Sequence, residues 1–192
     1  MNTAEKMTRS MIKLILDKKL KFRRDVEAFL GEHFSPELQG EERALARVNL
    51  GDALQSWFEE KLPDDQKLST SFLKEAVGYI DWIAIAQAID FGHWTNEITD
   101  DQEYEGFTNS LTFTVWHWII SGDETQFAYG YASLVVEQGT SEEAKAKDLR
   151  YFFWSKTLPS FKRNRVAASL TEEGINCVNW LEIVQTLSRS NH

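Results

Sequence analysis

Asp81-Trp82-Ile83-Ala84-Ile85-Ala86-Gln87-Ala88-Ile89 and Asn179-Trp180-Leu181-Glu182-Ile183-Val184-Gln185-Thr186-Leu187 are two versions of one pattern, 98 residues apart. In each, a residue that favours the N-cap precedes a tryptophan, and apolar residues recur at i, i+3, i+4 and i+7. Trp82, Ile85, Ala86 and Ile89 make the first stripe, and Trp180, Ile183, Val184 and Leu187 the second. Each stretch predicts a capped, buried helix anchored by its tryptophan. The likeness extends upstream. Trp57-Phe58, three residues and Leu62-Pro63 precede the first; Phe153-Trp154, three residues and Leu158-Pro159 precede the second. A glycine, Gly78 or Gly174, stands before each cap. Duplication of one helical unit and chance convergence of two amphipathic helices both account for this.

The composition agrees with a helical reading. The chain has 192 residues, 42% hydrophobic and 12% aromatic, which is enough to build a core, with Pro 3 and Gly 10 as sparse punctuation. The expected fold is all-α, about eight helices in one compact domain or two related lobes. Its expected parts are an N-terminal basic amphipathic helix over residues 1–34, a first lobe with an acidic loop over 35–108, and a second lobe over 109–192. Helical spacing runs through residues 3–32, with a break near Lys21. A helix over 41–61 should turn Leu45, Val48, Ala53, Leu54, Trp57 and Phe58 inward and stop before Pro63. Ser69 or Thr70 can cap the next helix, whose stripe is Phe72, Leu73, Ala76, Val77 and Ile80. Residues 111–120 are strand-like in composition, but their helical neighbours favour a helix. Further helices are expected over 123–138, capped by Asp123, and 141–157, started by Ser141-Glu142-Glu143. Residues 161–170 then lead through Gly174 into the last helix.

Charge is unevenly distributed. The formal net charge is −9, yet residues 1–24 carry +6, residues 25–144 carry −19 and residues 145–192 carry +4. The densest stretch, 90–105, holds Asp90, Glu97, Asp100, Asp101, Glu103 and Glu105 and no Lys or Arg. It reads as a surface loop. Such an acidic body either solvates helix faces or imitates phosphates and occupies the basic groove of a nucleic-acid-binding protein. Contact with nucleic acid would instead need cations, and Lys162, Arg163 and Arg165, close behind Tyr151-Phe152-Phe153-Trp154, are the candidates.

Signatures of chemistry are missing. The histidines are scattered singly, with no HExxH or paired ExxH spacing, so no metal or cofactor is expected. Asp101-x-Glu103-x-Glu105-Gly106 has the alternation of a calcium loop, but Thr112 stands where the bidentate glutamate belongs. Phosphate-binding glycine loops and a nucleophile elbow do not occur. Cys177 reads as a core filler. A single cysteine and the lack of an 18-residue apolar stretch lead to the expectation of a soluble, cytoplasmic protein without membrane contact.

The stretches Ala53-Leu54-Gln55-Ser56-Trp57-Phe58-Glu59-Glu60, Phe72-Leu73-Lys74-Glu75-Ala76 and Tyr79-Ile80-Asp81-Trp82-Ile83-Ala84-Ile85-Ala86 resemble a pattern in small acidic helical proteins of phages and plasmids. The resemblance covers about forty residues of the first half. It implies a mobile-element origin and supplies no catalytic residues. Inhibitors of host defence nucleases are among such proteins. The functional expectation is therefore a non-enzymatic inhibitor, of the anti-defence or anti-CRISPR type, that blocks a nucleic-acid-binding surface by charge mimicry; a homodimer is also compatible. The alternatives are an accessory nucleic-acid-binding subunit of a nucleoprotein complex and an enzyme with a carboxylate-lined cleft near His93 or His117.

Overall fold

The computed structural model describes residues 2–17, 20–33, 35, 37–63, 67–91, 105–121, 126–137 and 139–190. Helices take up 82% of these, and no strand forms among them. In order they are α1 (Thr3–Leu16), α2 (Lys21–His33), α3 (Gly40–Glu59), α4 (Leu68–Gly78), α5 (Trp82–Phe91), α6 (Ser110–Ser121), α7 (Gln126–Glu137), α8 (Glu142–Thr157), α9 (Arg165–Cys177) and α10 (Trp180–Ser190), with a 3-10 turn at Leu158–Phe161. The all-α expectation holds, with two helices more than anticipated. One comes from counting residues 3–32 as one helix, although the expected break near Lys21 separates α1 from α2. The other is α9, which runs straight through Gly174.

Contacts divide the chain into two compact units, Met1–Asp64 with Val77–Asp100, and Asp65–Ala76 with Asp101–His192, so that the division falls within α4. In the first unit α1 begins at Asn2, whose side chain accepts a 2.8 Å hydrogen bond from the Glu5 N–H. Its inner face, Met7, Met11 and Ile15, packs against α2 and α5. Helix α3 lies on α5 through Leu50, Gly51, Leu54 and Phe58. A Cβ on Gly51 would come within 3.1 Å of the Trp82–Ile83 backbone, so glycine is what lets these two helices meet. The expected inward face of α3 is corrected here: Leu45 and Val48 are 62% and 39% exposed, and the buried stripe is shifted round the helix.

The second unit gathers α6 to α10 and the first turns of α4 around Phe153. Its ring meets Phe72 at 5.1 Å, Trp118 at 5.6 Å and Trp180 at 5.6 Å. Gly174 sits where a Cβ would lie 3.0 Å from the Ala76 Cβ, which explains a glycine inside α9 rather than at its end. Cys177 is buried, as a core filler should be. Ser69 and Thr70 do not cap α4; both are buried within its first turn. Asp123, expected to cap α7, lies outside the described residues.

The internal likeness is present in three dimensions, on three helix pairs: α1 with α6, α3 with α8 and α5 with α10. The hydroxyl of Thr8 on α1 accepts the N–H of Asp81, and the hydroxyl of Thr112 on α6 accepts the N–H of Asn179, both at 2.9 Å. Each acceptor is thus a buried threonine on the first helix, and each donor is the residue that caps a tryptophan helix. The Asp81 carboxylate in turn accepts from the Ala84 N–H at 2.8 Å, and the Asn179 amide oxygen from the Glu182 N–H at 3.3 Å. Burial matches Met7 with Leu111, Met11 with Val115 and Ile15 with Ile119. It also matches Gly51 with Ala146, Leu54 with Leu149 and Phe58 with Phe153. This corrects the sequence alignment by one residue. Phe58 and Phe153 are the equivalents, each 5.6 Å from its own tryptophan, Trp82 or Trp180.

Candidate interaction surfaces

The acidic stretch expected to form the site is described in part. Asp90 falls in α5, while Glu97, Asp100, Asp101 and Glu103, together with His93, lie outside the described residues. Glu105 is exposed and holds φ at 50°, followed by Gly106 at 81°, so a carboxylate is fixed at a tight turn that a side chain rarely adopts.

A second acidic surface, which the sequence reading did not single out, is the outer face of α3. Glu41, Leu45, Val48, Asp52 and Glu59 recur at helical spacing on one side, opposite the buried stripe, and all five are exposed. At about 1.5 Å per residue this ridge is about 27 Å long. Glu41, Glu42, Asp52 and Glu60 form no ion pair among the described residues; the ion pairs found there, Arg9–Glu5, Lys21–Asp25 and Arg23–Glu27, belong to α1 and α2. The last turn of α3 carries Glu59 and Glu60 and no cation. That is the wrong sign for the helix dipole, which favours positive charge there. Folding of α3 does not call for the carboxylates at this end, whereas Glu41 and Glu42 in the first turn have the sign the dipole favours.

Beside the ridge, α2 and α3 enclose a groove of about 680 Å³. Its floor is aromatic. Phe29 stacks on His33 with centroids 4.0 Å apart and planes at 13°, and Phe29 meets Trp57 at 5.3 Å. The His33 Nδ1 lies 2.9 Å from the Phe29 carbonyl, which holds the imidazole in place. Asp25, Glu32 and Glu60 line the rim, together with Lys21 and Lys61. The Lys61 Nζ rests 4.5 Å above the Trp57 ring. The two walls come from residues about thirty apart in sequence, so no local pattern announced them. The available signal was Phe29 and Trp57 themselves, on faces with more aromatic area than one buried stripe requires. A carboxylate-lined cleft thus exists at His33, while His117 is an exposed residue on α6 whose ring lies 5.6 Å from Phe113.

The basic candidates sit together at the start of α9. Lys162, Arg163 and Arg165 are exposed, flanking Asn164, whose side chain accepts the Ala167 N–H at 3.1 Å and caps the helix. Cations at a helix N-terminus oppose the dipole, so this end is doubly positive. The nearby aromatics divide. Phe153 and Phe161 are buried, whereas Tyr151 and Trp154 are 69% and 41% exposed and stack with centroids 6.1 Å apart.

Among the described residues no group of three or more His, Cys, Asp or Glu side chains could hold a metal ion, and no helix is long and apolar enough to cross a membrane. Compared with family models, curated proteins and solved structures, the chain gives no match.

Proposed function

We propose that the protein is a non-enzymatic docking protein that occupies the nucleic-acid groove of a basic partner and so inhibits it, as a mobile-element inhibitor of a host complex would. The observation that carries this reading is the α3 ridge. Its carboxylates are exposed, lack ion pairs among the described residues, and at the helix C-terminus work against the helix that bears them. Leu45 and Val48 stand in the middle of the ridge, exposed and apolar between Glu41 and Asp52. A row of anions with an apolar centre matches a basic groove that also offers packing area.

The test is the salt dependence of partner binding combined with charge reversal. Affinity should fall steeply between low and physiological salt, because the screening length shrinks to about 8 Å. Glu41→Lys/Asp52→Lys should weaken binding by about tenfold or more. Binding unmoved by either treatment would reduce the ridge to a solubility feature.

A second reading rests on Tyr151 and Trp154. Two exposed, stacked rings on the helix that leads to Lys162, Arg163 and Arg165 suit single-stranded nucleic acid, where bases stack and cations hold phosphates. A gel shift with single-stranded RNA separates the two. A charge mimic leaves the RNA free, and an accessory subunit retards it.

A further inference from the structure

We propose that the groove between α2 and α3 receives an arginine side chain of the basic partner. This rests on the docking reading above and gives it a point of specificity.

Three features select a planar cation. First, the floor presents aromatic faces already packed on one another, Phe29 on His33 at 4.0 Å and Phe29 on Trp57 at 5.3 Å, so a ligand meets a rigid surface and orders little on arrival. Second, the protein's own chain shows what the Trp57 face attracts: the Lys61 ammonium rests 4.5 Å from the ring centre. Lys61 stands in for the ligand. It is exposed on a flexible stem and can swing away at small cost. Third, carboxylates of Asp25, Glu32 and Glu60 line the groove, against the ammonium groups of Lys21 and Lys61. Lys21 is held by Asp25 at 3.8 Å, a loose pair with the lysine side chain 81% exposed, and so leaves the carboxylate open to a better partner.

Guanidinium fits this combination better than ammonium. It is flat and weakly hydrated, stacks on an indole, and can give two parallel N–H bonds to one carboxylate. A volume of about 680 Å³ is more than one side chain needs, so the groove has room for the arginine stem and a flanking stretch of peptide. The ridge and the groove share α3, so a basic segment lying along the ridge can place one arginine beside Trp57.

The experiment uses the full chain and two end-capped octapeptides of equal charge, one with arginines and one with lysines, titrated calorimetrically at physiological salt. The arginine peptide should bind about fivefold or more tightly than its lysine counterpart. Trp57→Ala should abolish that preference, and Glu60→Gln, which leaves the aromatic floor intact, should weaken the arginine peptide by about threefold or more. Lys61→Met should strengthen it by removing the competing ammonium. Equal affinity for the two peptides overturns the proposal, as does an arginine preference that survives in both Trp57→Ala and Glu60→Gln. The docking reading is judged on another variant. Glu41→Lys/Asp52→Lys should lose the partner while keeping the arginine preference, so failure of the ridge and failure of the groove appear in different rows of the same data.

Discussion

The two copies of the tryptophan-helix arrangement solve the same problem with different polar accounting at the tryptophan. In α10 the Trp180 Nε1–H donates to the Ile175 carbonyl at 3.0 Å. In α5 the Trp82 Nε1–H is buried with no partner. The carbonyl that corresponds to Ile175 is that of Val77, and it accepts the Ile80 N–H at 3.0 Å as α4 closes. The copies also differ where their first helices begin. Thr108 donates from its hydroxyl to Glu182 and accepts from the Asn179 amide, and the Asn109 amide donates to the Cys177 carbonyl. At the corresponding places the first copy has Ala4 and Glu5. Both copies use a glycine for close approach, Gly51 and Gly174, and the second adds side-chain hydrogen bonds at Trp180, Thr108 and Asn109. One helix pattern can thus be closed by shape with less or more polar pairing.

The largest expected contrast is at the aromatic centres. Phe153→Ala should cost about 3–5 kcal/mol, because a buried ring in contact with Phe72, Trp118 and Trp180 leaves a cavity. Phe58→Ala, whose ring contacts are Phe22 and Trp82, should cost about 1 kcal/mol less. Urea unfolding of the two variants measures the difference, and equal costs would erase it. Next come the helix crossings. Gly51→Ala should destabilise by about 1–3 kcal/mol, since backbone stands in the way of the new methyl group. Ala146→Gly, at the matching position of α8, should cost about 0.5–1 kcal/mol from chain entropy, with the loss of a buried methyl group added to it. A Gly51→Ala protein as stable as the wild type would show that α3 and α5 are not held close.

The tryptophans provide the sharpest comparison. Trp180→Phe removes a buried hydrogen bond and should cost about 1–2 kcal/mol more than Trp82→Phe, which removes a donor that has no partner. Thermal unfolding of both variants side by side decides it. The smallest effect is at Glu143, where a backbone hydrogen bond and the Ser141 side chain hold the carboxyl below its usual range. A depressed folded value means stability that is present above the ordinary carboxylate range and is lost as pH falls through the folded value. Glu143→Gln should therefore lower the melting temperature slightly at neutral pH and leave it unchanged in strong acid. A deficit that persists in acid would point to packing instead of charge.

Helices with a cap and a narrow stripe were legible from sequence. Asp81 and Asn179 announced α5 and α10, and Ser141 announced α8, because the capping side chain and the apolar period agree there. Helix α3 was legible as a helix but not in its orientation. Its apolar residues lie all round the axis; Leu54 and Phe58 face inward as the sequence predicts, and the choice between Leu45-Val48 and Leu50 is made by Gly51, whose role is visible only against the α5 backbone. Helix α9 was hidden by Gly174 for the same reason. The repeat was legible at the tryptophans, yet the upstream match slipped by one residue, since Trp57-Phe58 and Phe153-Trp154 look alike as letters while burial pairs Phe58 with Phe153. The candidate groove was not legible at all, because α2 and α3 each contribute half of it.

The most direct test of the docking account is displacement. The partner captured from producing cells is loaded with fluorescent single-stranded nucleic acid, and the protein is titrated in while anisotropy is followed. Docking in the partner's groove predicts stoichiometric release of the nucleic acid, with release by Glu41→Lys/Asp52→Lys shifted to about tenfold higher concentration or more. A partner that holds nucleic acid and this protein together, or a charge-reversed variant that displaces as well as the wild type, would contradict it.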